Sequence, residues 1–153
     1  MEQHAPDMVW RDDLVWWGDK RASGWSGAAP AWSAERAKPA GTDELLNDRR
    51  LELVVIYPEA FPAAPPALYP VDPEVPIERR IFHKWHVNGD GSLCLMQAAD
   101  DWQLTDTAAS LVRKASGWFL EYLLVEAGDL AAMTLAGAFS DNSIDDLLAK
   151  YAI

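Results

Sequence analysis

The chain has one cysteine and three histidines in 153 residues. One cysteine cannot close a disulfide within the chain, and Cys94 lacks the paired Cys/His spacing of a zinc site, so neither a metal nor any other cofactor is expected. A thiol left unpaired fits a reducing cytoplasm. Basic residues are also scarce: 13 Lys and Arg against 24 Asp and Glu give a formal net charge of −11. Nucleic-acid binding needs clustered Lys and Arg on phosphates, and this balance argues against it; an acidic surface suits basic protein partners or simply solubility. No apolar run reaches the ~20 residues that cross a bilayer, so no membrane partner is expected. Met1 to Asp7 has no basic start leading into an apolar stretch, so a secretion signal is not expected either. No internal repeat is visible.

What is abundant is apolar surface. Half of the residues are hydrophobic and eight are tryptophan, the composition of a folded rather than a disordered chain. The length fits one domain, residues 1–153. Trp10, Trp16, Trp17, Trp25 and Trp32 fall among Gly, Ser, Ala and Pro; Leu14 to Trp17 has strand composition and Gly18-Asp19 can turn. One or two short strands are predicted there, with the tryptophans covering a core in preference to forming a partner-binding patch. Residues 34–48 read as a loop or a short helical turn. Leu51 to Tyr57 is rich in β-branched residues without strict alternation, which predicts a central strand covered on both faces.

Pro58, Pro62, Pro65 and Pro66 then stiffen a non-helical crossover anchored by Tyr57 and Phe61, after which Ala67 to Tyr69 resumes a strand and residues 71–80 form a Pro-broken loop. Met96 to Asp101 reads as loop. Ala108, Leu111, Val112, Ala115, Phe119, Tyr122 and Leu123 recur at helical spacing and predict a core helix, with Thr105 or Asp106 capping its start and Gly128-Asp129 ending it. Leu130 to Phe139 reads as a short apolar helix, and Ser143 to Leu148 as a last one with a start like a capping box. Strands first and helices last give an α+β fold with an antiparallel sheet.

Candidate chemistry concentrates in His86-Val87-Asn88-Gly89-Asp90-Gly91-Ser92-Leu93-Cys94-Leu95. The Gly-Asp-Gly cluster forces a bend, and beyond it Leu93 and Leu95 are expected to tuck inward and leave Cys94 facing a groove. A free cysteine is more often an inert core thiol, but here His83, His86, Asn88, Asp90 and Ser92 crowd around it, the setting of a nucleophile.

These residues carry a resemblance. Tyr57-Pro58-x-x-Phe61-Pro62-x-x-Pro65-Pro66 resembles the aromatic and proline crossover of ubiquitin-conjugating enzymes, and Asn88-x-x-Gly91-Ser92-Leu93-Cys94-Leu95 is similar to that family's catalytic segment. Trp102 falls where the family has a Trp before its long helix. Three motifs in order, over about residues 50–125, are more specific than any one alone. Where the family carries His-Pro-Asn, this chain reads Lys84-Trp85-His86, so His86 takes the place of the asparagine that steadies the oxyanion, a trait of bacterial relatives in antiphage operons. The connection from Pro65-Pro66 to the catalytic run is longer than the family's, and residues 1–49 are a divergent, Trp-rich part in place of an amphipathic first helix.

The resemblance implies a ubiquitin-conjugating-enzyme-like fold: an antiparallel meander packed on a long central helix, with C-terminal helices. It also implies a cysteine-thioester acyltransferase whose partners are an activating enzyme, a ubiquitin-like modifier, a target protein and a JAB-type deconjugating protease. Cys94 would carry the modifier. His86 first and Asn88 second would donate to the oxyanion, an imidazolium at His83 or His86 would favour the thiolate, and Asp100 or Asp101 would orient the attacking amine. The alternatives are a non-catalytic module of the same fold that binds a ubiquitin-like protein, and a Cys/His thiol hydrolase.

Overall fold

A computed structural model describes residues 1–15, 20–96, 101–135, 137–139 and 142–153. Two eight-residue strands, β1 (Met8–Val15) and β2 (Arg21–Ala28), come first, followed by a short helix α1 (Thr42–Leu46) and strands β3 (Glu52–Ile56) and β4 (Ala67–Asp72). The strands form an antiparallel meander in the order β1-β2-β3-β4. After β4 come a 3-10 turn, Ile77–Arg79, and the one-turn helix α2 (Phe82–Trp85). The 20-residue helix α3 (Ala108–Ala127) and the short α4 (Asp145–Ala149) complete the fold. This is the predicted α+β class, with the sheet packed on α3. No helix among the described residues is long and apolar enough to cross a membrane.

Register explains which side of the sheet is core. Trp10 pairs with Trp25, Trp25 with Val55 and Val55 with Leu68, and directly opposed residues share a face. Val55 and Leu68 are fully buried against α3, whereas Trp25 is half-buried and Trp10 is 45% exposed. The row therefore runs from core at β4 to solvent at β1. Trp10 meets Trp25 and Tyr57, and Tyr57 meets the Phe61 ring edge-on at 4.6 Å, so the two aromatic anchors of the proline crossover touch. Trp16, Trp17, Gly18 and Asp19 lie outside the described residues. β1 forms one border of the sheet. Its register shifts between Arg11 and Leu14, and Arg11 donates to Asp13 on the same strand.

From Ala115 to Val125 every residue of α3 is buried, as befits a helix surrounded on all sides. Gly128 ends it in the left-handed region (φ 85°), its N–H returning to Leu124 and Val125 carbonyls, as expected of a C-terminal glycine.

Four expectations need correction. β3 alternates instead of being covered on both faces: Leu53 and Val55 are buried, while Glu52, Val54 and Ile56 are half-buried. Neither Thr105 nor Asp106 caps α3; Thr107 precedes its first residue without a side-chain cap, because the Asp106 carboxylate accepts the Gln103 N–H at 2.7 Å. Described residues of 130–139 form no helix. Their donors are engaged elsewhere, Met133 N by Lys84 O and Thr134 N by the buried Glu121 carboxylate, and Gly137 turns at φ 85°. The last helix begins at Asp145, later than predicted, with Ile144 before it and no side-chain cap from that residue.

Candidate active site

The loop is built on a β-bridge between Val87 and Leu93. Both side chains enter the core, at 0% and 7% exposure, and Leu93 N ties the loop to β4 through Leu68 O at 2.8 Å. The residues flanking that bridge are His86 and Cys94. Cys94 N donates to His86 O at 2.8 Å, so the backbone pairs the two residues, and both line the same cavity. Leu93 is inside as expected, and Leu95 is half-buried against the core.

The bend between them is closed by its own polar groups. Asn88 N donates to Ser92 O, and Gly91 N to Asn88 O. The Asp90 carboxylate accepts from Ser92 N (2.9 Å), Ser92 Oγ (2.6 Å) and Tyr69 Oη (3.2 Å). Partial burial pushes the Asp90 carboxyl up, but the Ser92 and Tyr69 donors outweigh it, and the net displacement is below the ordinary carboxylate value. Gly91 has φ 91°, a left-handed turn conformation that favours glycine.

Cys94 is half-buried, its Sγ 3.5 Å from Met96 O. With His86 it lines a cavity of about 740 Å³, to which Phe82, Trp118, Leu135 and Phe139 add apolar wall and Arg113 and Lys114 positive charge. His86 follows α2 in the left-handed region (φ 48°, ψ 45°) and stacks on Phe82, ring centroids 5.6 Å apart. Its Nε2 is buried and has no hydrogen-bond partner among the described residues. Burial, and secondarily the nearby His83, push the His86 imidazole below its usual value. This displacement disfavours the imidazolium expected at His86. A neutral imidazole keeps one N–H to give and one lone pair to receive.

The remaining candidates are placed as follows. Asp101 is exposed and lines the same cavity. Asn88 is on the loop's outer turn, its Nδ2 donating to Ser92 Oγ at 3.0 Å, and is not among the cavity's walls. His83 is exposed, its ring edge-on to Phe82 at 5.2 Å. Asp100 lies outside the described residues. Trp102 is buried, its indole N–H donating to Pro62 O at 2.8 Å, which joins the proline crossover to the end of the site loop.

Comparison with protein families, with curated proteins and with solved structures finds no match for the chain.

Sequence reasoning missed Trp118, whose indole is 3% exposed and borders the cavity. The signal was present: Trp118 continues the helical stripe, three residues after Ala115 and four before Tyr122. No group of three or more His, Cys, Asp or Glu among the described residues is arranged to hold a metal. The site can offer a nucleophilic sulfur and a neutral imidazole to a large acyl group.

Proposed function

We propose that the protein is a conjugating enzyme for a ubiquitin-like modifier, of the ubiquitin-conjugating type and serving bacterial antiphage defence. The observation that carries this reading is that the half-buried Cys94 and His86 line one cavity, with the His86 Nε2 buried and without a hydrogen-bond partner among the described residues. The order of elements supports it: a meander sheet, the proline crossover between β3 and β4, the cysteine loop, Trp102 and then the long helix, as the motif resemblance implies.

The chemistry is two acyl transfers. The Cys94 thiolate attacks the carbonyl carbon of the modifier's thioester on the activating enzyme; a new C–S bond forms, the old one breaks, and the activating enzyme's cysteine leaves as thiolate. A target amine then attacks the Cys94 thioester, Cys94 leaves as thiolate, and the amine's proton passes to solvent or to Asp101 at the cavity wall. Each step passes through a tetrahedral oxyanion, and the neutral His86 N–H is the donor it meets. Asn88, engaged with Ser92, supports the loop's shape. A JAB-type protease would reverse the product.

Incubation with ATP, an activating enzyme and its ubiquitin-like modifier is expected to give a reductant-sensitive adduct, resolved on a non-reducing gel, that Cys94→Ala abolishes. An adduct that survives that substitution would refute the site. Cleavage of modifier-linked substrates without the activating enzyme would mark a thiol hydrolase instead.

A further inference from the structure

A one-turn helix has almost no shape of its own, yet α2 delivers His86 in a left-handed conformation that residues other than glycine seldom adopt. The constraint comes from elsewhere. The peptide unit entering His86 is held at both polar atoms: its N–H donates to Phe82 O at 3.0 Å, and its carbonyl, that of Trp85, accepts the Trp118 indole N–H at 2.8 Å. The unit leaving His86 is held through Cys94 N. The His86 α-carbon thus sits between two fixed peptide planes, one set by Trp118 on α3 and the other by the cysteine strand. Trp85 itself is clamped, its ring 5.1 Å from Tyr122 and under the Arg79 guanidinium at 4.6 Å, while Arg79 is bound to Tyr122 Oη and Glu126.

We propose that Trp118 is a positioning residue for His86: by fixing the Trp85 carbonyl it keeps the imidazole in the Cys94 cavity. Arg79 acts one step further back, by holding the Trp85 ring. The catalytic consequence rests on the transferase reading; the placement of the ring does not.

Trp118→Phe keeps most of the bulk and removes the N–H. In the full chain, with the fold checked by circular dichroism, the His86 titration followed by NMR is expected to rise from its depressed position toward about 6.5. Cys94, Asp101, Arg113, Lys114 and Glu121 in the cavity wall and the neighbouring His83 are unchanged, so the shift reports the ring's surroundings. Discharge of the Cys94 thioester to free lysine is expected to slow about 10- to 100-fold, the cost of a misplaced catalytic group. The Trp118→Phe/His86→Ala double variant should discharge no more slowly than His86→Ala alone. A folded Trp118→Phe chain in which His86 titrates as before, or a double variant whose losses multiply, overturns the proposal. If Trp118→Phe fails to fold, Arg79→Met decides by the same two readings. If the native chain never forms a thioester, the transferase reading fails and the titration alone decides the positioning.

Discussion

At the scale of the residue, the contrast is between Cys94, which its isolation in the sequence singles out as a candidate, and His86, whose state depends on its surroundings. Sequence named both, because motif order and the crowding of polar groups need no coordinates. It could not show that burial and His83 push the imidazole below its usual value, nor that Asn88 spends its amide on Ser92, because both depend on which face of a turn each side chain takes. Asp90 yields a test of its own. Its carboxyl titrates lower in the folded chain than in the unfolded one, so between the two values the unfolded state binds more protons. The stabilisation is present above about pH 4 and is lost as pH falls through the folded value. Urea unfolding at a series of pH values is therefore expected to show Asp90→Asn less stable than the native chain at pH 7, with the gap closing in acid.

Elements obeyed the sequence where the signal was local. β3, β4, the crossover, α3 and its Gly128 stop follow from β-branched runs, proline and helical spacing, each of which acts within a few residues. The segment 130–139 did not, because its apolar spacing competes with partners that a local reading does not include: Glu121 and Lys84 take its N–H groups, and Gly117 leaves room on α3 for Ala138 and Phe139 to lie 3.3 Å from where a Cβ would be. The caps were misassigned for a related reason, since Asp106 found a nearer N–H in Gln103. Gly24 shows how tightly strands meet. A Cβ there would fall 1.7 Å from the Val55 carbonyl oxygen, so Gly24→Ala forces β2 from β3. Chemical denaturation is expected to show a loss of about 1–3 kcal/mol, the range of overpacking.

At the scale of the whole molecule, one core joins the sheet, α1, α3, α4 and the site loop, and the cysteine loop is fastened to that core at Val87 and Leu93. The sheet's two borders differ. Leu93 covers part of β4 by donating to Leu68 O, whereas no strand among the described residues pairs the outer side of β1. A bare border invites pairing with another extended chain, and the displaced register, with Arg11, Asp12 and Asp13 on it, opposes that. Like charge on a molecule of net −11 acts in the same direction until salt shortens its reach to a few ångströms. Asp12→Val/Asp13→Val is expected to raise light scattering in concentrated solution and the native chain to stay dispersed, with no change if the border is inert. The open flank thus makes colloidal behaviour depend on two aspartates: wherever copies of this chain are crowded within reach of one another, keeping them matters although they are not among the walls of the cysteine cavity.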